Sequence, residues 1–225
     1  SFTDNTWGIF FICISLLVNI WGIYASWVPK ISKHTIKINK EHTWHGKKIV
    51  MVADTHYGNV YGSHDAKNLV KRINKLSPEI VLIPGDFFDG PLIDYSGVVS
   101  EFGNIQASHG VLFANGNHEE YTHTKTILKS IKHPILRIRK LAPNKKLHES
   151  LQKNKQEIIV INNEKIEIEG IVFSGVTYHD TETAEGLIRN LDALDLEEKK
   201  PNILLKHKPN LHTTIEKYPI DLVVS

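Results

Sequence analysis

Three short stretches place carboxylate, imidazole and amide side chains directly after apolar runs. Asp54-Thr55-His56 follows residues 49–53, Gly85-Asp86 follows residues 79–83, and Gly116-Asn117-His118-Glu119 follows residues 110–114. A later His207 stands just beyond Ile203, Leu204, Leu205 and Lys206. Oxygen and imidazole donors of this kind suit a divalent transition metal, and the lack of cysteine among them argues against a structural zinc site. If the backbone through Asp54-x-His56 is extended, residues i and i+2 share a face and one ion can take both. Asp86 follows a glycine, which permits close backbone approach, and a carboxylate there could bridge two ions. Taken singly, each stretch is an ordinary turn or helix cap. The signal is their order, their spacing and their shared position after apolar strands.

Such distant residues meet only if the fold gathers them. Residues 49–53, 79–83 and 110–114 read as buried strands. Between the first two, Ser63 is placed to cap a helix whose Leu69, Ile73 and Leu76 repeat at helical spacing, and Ser77-Pro78 ends it. A second helix is expected around residues 98–107. This βαβαβ rhythm implies neighbouring parallel strands with right-handed crossovers, and so places the three turns together at the carboxyl edge of one sheet. The second half is less regular. Residues 157–161, 165–169 and 171–174 read as strands, with a hairpin turn at Asn162-Asn163. Leu187, Leu191 and Leu194 mark a helix, residues 203–205 and 222–224 are short strands, and the second sheet is expected to be mixed or antiparallel.

The first part of the chain has a different character. No charged residue occurs from Trp7 to residue 28. Trp7 and Trp27 would stand about 30 Å apart on a helix rising ~1.5 Å per residue, one indole at each face of a bilayer. A transmembrane helix over about residues 7–28 is expected, in preference to a cleaved signal peptide or a core helix. Lys30, Lys33, Lys37 and Lys40 follow it and favour a cytoplasmic location for what comes next. Residues 29–46 read as a polar connector, giving an anchor region 1–46 and a soluble domain 47–225. The chain opens on Ser1 and stops just after an apolar run, so an internal fragment is expected.

Composition is that of a globular protein: 225 residues, 41% hydrophobic and 23% charged. A formal net charge of +2 gives no reason to expect nucleic acid as a partner. Thirteen histidines against a single Met and a single Cys keep metal chemistry in view, and Cys13 alone makes no disulfide framework.

The series Asp-x-His, Gly-Asp, Gly-Asn-His-Glu and a later His resembles that of the calcineurin-like metallophosphoesterases, from about Lys48 to Ser225. Within them it is similar to the bacterial membrane-associated branch that includes UDP-diacylglucosamine hydrolase-like enzymes. The run from Gly110 into Gly-Asn-His-Glu and the stretch from Leu204 to Pro209 both fit that branch. The resemblance implies an α/β fold, a four-layer αββα sandwich of two mixed β-sheets. It implies two divalent ions (Mn, Fe or Zn), with Asp54 and His56 on the first, Asp86 bridging, and Asn117 and His207 on the second. His118 would face the scissile phosphate and donate to the leaving oxygen. The family's last motif, Gly-His-x-His, would follow Ser225.

The expected activity is hydrolysis of a phosphodiester or phosphomonoester by a hydroxide bridging the ions. The substrate is a phosphate ester, lipid-linked in the form an anchor at the cell membrane would favour, and the bilayer is the second partner. The competing reading is a membrane-tethered binding module that keeps the fold without catalysis. Lesser features are the basic cluster Arg137, Arg139, Lys140, Lys145 and Lys146, a substrate cap over residues 122–144, and the loop histidines His64 and His179.

Overall fold

The computed structural model describes residues 2–27, 29–89, 95–121, 139–140 and 158–225. The chain divides into two compact units, residues 1–37 and 38–225. The first contains helix α1, Phe2–Trp27, within which Thr6–Ala25 is long and apolar enough to cross a membrane by length and composition. The second unit begins earlier than the expected connector allows. Lys40 pairs with Asp221 at 2.8 Å, Thr43 Oγ1 donates to the Glu169 carbonyl, and Trp44 is only 5% exposed. Residues 38–46 thus belong to the folded body, because an indole buried there gives the segment its own apolar anchor.

Two sheets make up this unit. The first holds β1 (Ile49–Met51), β2 (Ile80–Ile83), β3 (Val111–Phe113), β4 (Arg139–Lys140) and β5 (Ile158–Val160) in the order β1-β2-β3-β5-β4. The second holds β6 (Glu164–Ile168), β7 (Ile171–Val176), β8 (Asn202–Lys206) and β9 (Leu222–Val224) in sequence order. The second sheet is mixed, antiparallel between β6 and β7 and parallel beyond. The first is parallel at every described pairing, which corrects the expectation of two mixed sheets.

Alternation along the strands builds the layers. Val81, Ile83, Val111, Phe113 and Ile158 face helices α2 (Ser63–Leu76) and α3 (Ser96–Phe102), meeting Ala66, Val70, Ile73, Val99 and Phe102. Their neighbours Ile80, Leu82, Leu112 and Ile159 face the other way, onto Ile166, Ile168, Phe173, Ile203 and Leu205 of the second sheet. Val176 and Leu204 then pack outward on Leu187, Leu191 and Leu194 of a helix spanning Ala184–Leu194. Helix, sheet, sheet and helix follow in that order, as period-2 strands buried on both faces require.

Three local expectations are corrected. Asn162-Asn163 is not a hairpin turn: β5 lies in the first sheet and β6 in the second, so these residues cross between sheets. The hairpin is β6–β7, where Ile168 pairs with Ile171 across Glu169 and Gly170. Both turn residues have positive φ, 47° and 85°, the condition for a two-residue turn that matches strand twist. β1 ends at Met51 rather than residue 53, and Met51 is 49% exposed because β1 is the sheet's edge. Helix α3 spans Ser96–Phe102, short of residue 107, with Gly103 at its C-cap. Of the cap expected over residues 122–144, only Arg139–Lys140 lies within the described residues; Arg137, Lys145 and Lys146 lie outside them.

The sheets approach closely at Gly175, where an added Cβ would stand 2.0 Å from the Ile161 carbonyl oxygen and 3.1 Å from Ala114 Cβ. Backbone cannot yield as a side chain does. Gly175→Ala is expected to destabilise the domain by about 3 kcal/mol, read as a lower urea midpoint. An unchanged midpoint would mean the sheets can separate there without cost.

Candidate metal centre

Three of the strands that carry candidate donors end at one edge of the first sheet. β1, β2 and β3 run parallel in register, with Met51 beside Leu82 and Ile83 beside Phe113, so the turns after them emerge together. The loop after β1 is laced to the one after β2: Val52, Asp54, His56 and Tyr57 N–H groups donate to the carbonyls of Leu82, Gly85, Asp86 and Phe87. Thr55 Oγ1 adds a bond of 3.0 Å to the Phe87 carbonyl.

This loop is not extended. Asp54, His56 and Asp86 have φ of 52°, 45° and 49°, in the left-handed region that non-glycine residues rarely adopt. Strain of this kind persists where surrounding structure enforces it, and it gathers at functional sites. Asp54 and His56 are therefore presented by two left-handed residues, not by the alternation of a strand.

The donors form two groups with Asp86 common to both: His56, Asp86 and His118, and Asp54, Asp86 and His207, each with its donor atoms within 4.8 Å of one another. Asp86 Oδ2 lies 3.3 Å from His207 Nε2, 3.8 Å from His56 Nε2 and 3.9 Å from His118 Nε2. His207 Nδ1 is 4.0 Å from Asp54 Oδ1. The geometry thus pairs Asp54 with His207 and His56 with His118, whereas the resemblance pairs Asp54 with His56. Asn117 opens helix α4 (Asn117–Tyr121) and is half-buried.

Whether these residues fit a metal can be judged from their nitrogens. His56 Nδ1 and His207 Nδ1 are buried and make no hydrogen bond, although a buried imidazole nitrogen normally has a partner. The His207 nitrogen lies beside Asp54, and the Nε2 atoms of His56, His118 and His207 turn to Asp86. Carboxylates and imidazoles set out in this way are the donor set a divalent transition metal takes, so the residues fit the group.

Charge in the cluster follows from contact. Burial pushes the Asp86 carboxyl up, but the hydrogen bond from His207, the His118 N–H at 3.0 Å and the charges of both imidazoles outweigh it, holding the group below its usual range. His207 is raised: its bond to Asp86 outweighs burial, and the charges of Asp86, Asp54 and Glu119 add to it.

Two carboxylates emerge that sequence reasoning assigned no role. Asp89 Oδ1 lies 3.4 Å from His56 Nδ1 and 3.6 Å from His118 Nδ1, behind both rings whose Nε2 atoms face Asp86. A carboxylate there can orient the His118 ring, whereas His56 Nδ1 makes no hydrogen bond. The signal of Asp89 was its place three residues after Asp86. Glu119, 2% exposed, accepts the N–H groups of Asp86, Phe88 and Gly116 at 3.0, 2.9 and 2.8 Å. Burial raises its pKa, and the nearby Asp86 charge adds to that against the bonds from Phe88 and Gly116.

The turns meet at two glycines. Gly85 has φ of 119°, open only to glycine, and a Cβ there would lie 2.7 Å from Gly116 Cα. A Cβ at Gly116 would lie 2.2 Å from Asp86 Oδ1. His64 and His179 stand apart, exposed on α2 and in the short turn His179–Thr181.

Glu119→Ala would leave three buried N–H groups without an acceptor. At roughly 1–3 kcal/mol for each such loss, and less than additively, a destabilisation of about 3 kcal/mol or more is expected, with weaker metal uptake by calorimetry. Normal stability and uptake would show that Glu119 does not hold the turns.

Residues 47–225 match the family model described as calcineurin-like phosphoesterase. An "uncharacterized metallophosphoesterase" of Helicobacter pylori strain J99 is 26% identical over 220 residues, covering 94% of this chain and 52% of that protein. One from Aquifex aeolicus is 26% identical over 223 residues, 94% of this chain and 74% of its own length. A Danio rerio "transmembrane protein with metallophosphoesterase domain" is 28% identical over 111 residues, 48% of this chain and 25% of that protein. The chain thus spans about half the length of the Helicobacter relative.

Proposed function

The chain belongs to the calcineurin-like phosphoesterase family, and from that membership we propose a dinuclear, membrane-anchored phosphoesterase acting on phosphodiesters or phosphomonoesters. The observation that carries this reading is Asp86, one carboxylate common to two donor groups. Asp54, His56, Asp86, Asn117 and His207 would hold two divalent ions, which, when bound, supply Lewis-acid activation of water and neutralise phosphate oxygens.

The chain's own residues do the rest. Glu119 and the two glycines fix the turns, so the donors are held before substrate arrives. His118, with Asp89 behind its ring, would give a proton to the leaving oxygen. The span Thr6–Ala25 supports anchoring in the cell membrane, and the lysines after it support a cytoplasmic catalytic domain. An anchored site favours a lipid-linked phosphate ester as substrate.

The test is release of p-nitrophenol from bis-p-nitrophenyl phosphate by full-length protein. Activity is expected to vanish on exhaustive chelation and to return with manganese. Hydrolysis that survives complete metal removal, or none with Mn, Fe or Zn, would refute the proposal.

A further inference from the structure

The sheet edge that carries His207 also carries a cation and a ring that the proposed chemistry does not use. β7 and β8 are parallel neighbours, with Val176 opposite Lys206, so the residues after each strand leave the sheet side by side. After β7 comes Tyr178, whose ring centroid is 6.0 Å from that of His207. After β8 comes Lys208, whose Nζ stands 5.7 Å from the centroid of the Tyr178 ring.

Both segments are fixed. The ammonium of Lys206, 1% exposed, donates to the Lys208 carbonyl and to Asn210 Oδ1. The Asn210 N–H donates to the same carbonyl at 2.8 Å. On the other side the His179 N–H donates to Glu120 Oε2 at 2.7 Å, which ties the Tyr178 segment to α4 and so to the turn bearing His118.

The Lys208 side chain itself is exposed. Lys40, Lys47 and Lys200 each pair with a carboxylate, but Lys208 pairs with none among the described residues. An ammonium steadied over an aromatic face keeps its full charge for an incoming anion. Its place beside His207 puts that charge one ring outside the donor cluster.

We propose that Lys208, seated on Tyr178, is a specificity-determining residue that binds a second phosphate group of the substrate, outside the one undergoing hydrolysis. The preferred substrates are then phosphate esters carrying two phosphates. The proposal rests on the phosphoesterase reading for its catalytic half only. A contact made equally in ground and transition states lowers KM without raising kcat, so the residue should act on KM.

Two esters differing by one group provide the test: thymidine 5′-(p-nitrophenyl phosphate) with and without a 3′-phosphate, on manganese-loaded full-length protein. Wild type is expected to show roughly tenfold lower KM for the bisphosphate, about the effect of one charge-assisted contact. Lys208→Ala should abolish that preference while kcat for the bisphosphate changes little. Lys208→Arg should restore it, and Lys67→Ala on α2 should leave it intact. A preference that survives Lys208→Ala overturns the proposal.

A second readout needs no turnover. By calorimetry, Lys208→Ala should weaken binding of methylenediphosphonate roughly tenfold and of methylphosphonate little, any preference owed to chelation by the ions being common to both proteins. If neither ester is hydrolysed with any metal, the phosphoesterase reading fails, and calorimetry alone decides the role of Lys208. Equal affinity of methylenediphosphonate for wild type and Lys208→Ala overturns the proposal whatever the activity.

Discussion

Asp86→Ala is expected to yield a protein that retains neither metal and hydrolyses bis-p-nitrophenyl phosphate at least about 10³-fold more slowly. The expectation follows from where the carboxylate sits. Its Oδ2 is the atom that His56, His118 and His207 all approach, and its Oδ1 accepts the His118 N–H. Without it, each donor group keeps two of its three members, His56 with His118 or Asp54 with His207, too few to hold a divalent ion against water. Asp86→Asn separates charge from shape, because the amide can still accept the His118 N–H. It should fold like wild type and still lose metal. Metal content by mass spectrometry and turnover on the same preparation check both variants, and full occupancy in either would remove Asp86 from the centre of the account.

His118→Ala is expected to do the opposite: to keep its metal and lose turnover by about 10²–10⁴, the range for removing a positioned acid. This variant carries more information than its size suggests. His118 Nε2 stands as near to Asp86 Oδ2 as His56 Nε2 does, so distance alone would allow it to be a ligand. What favours the catalytic role is the family resemblance alone, since Asp89 stands at the Nδ1 of both His56 and His118. Side-by-side measurement of metal stoichiometry and kcat separates the two roles. Loss of an ion from His118→Ala would make it a ligand and leave the proton donor unassigned.

The layered fold was legible because its signals are local. The apolar runs at β2 and β3 and the helical spacing of Leu69, Ile73 and Leu76 each mark an element by themselves, and parallel pairing then brings the turns together. The crossing at Asn162-Asn163 was not legible, since Asn-Asn between two strands is also hairpin chemistry and only the parallel pairing of β5 with β3 decides otherwise. The edge position of β1 was hidden for a similar reason: Ile49, Val50 and Met51 are as apolar as a central strand.

At the site, Asp54, His56, Asp86, His118 and His207 were readable as residues but not as geometry. A sequence does not display a left-handed backbone at Asp54, His56 and Asp86, so the i, i+2 argument reached a plausible ligand pair by a conformation the loop does not have. Glu119 and Asp89 were missed for a different reason. An acidic residue that binds backbone or orients a ring has the same signature as a solvated one until its burial and partners are known.

Whether one carboxylate joins two metal ions is read by electron paramagnetic resonance of the manganese-loaded full-length protein. Two ions about 3.5–4 Å apart share an exchange interaction that alters the spectrum of each. Two manganese ions per chain and an exchange-coupled multiline spectrum that Asp86→Asn abolishes are expected. A six-line spectrum of isolated manganese at full loading, unchanged by Asp86→Asn, would contradict a bridging carboxylate.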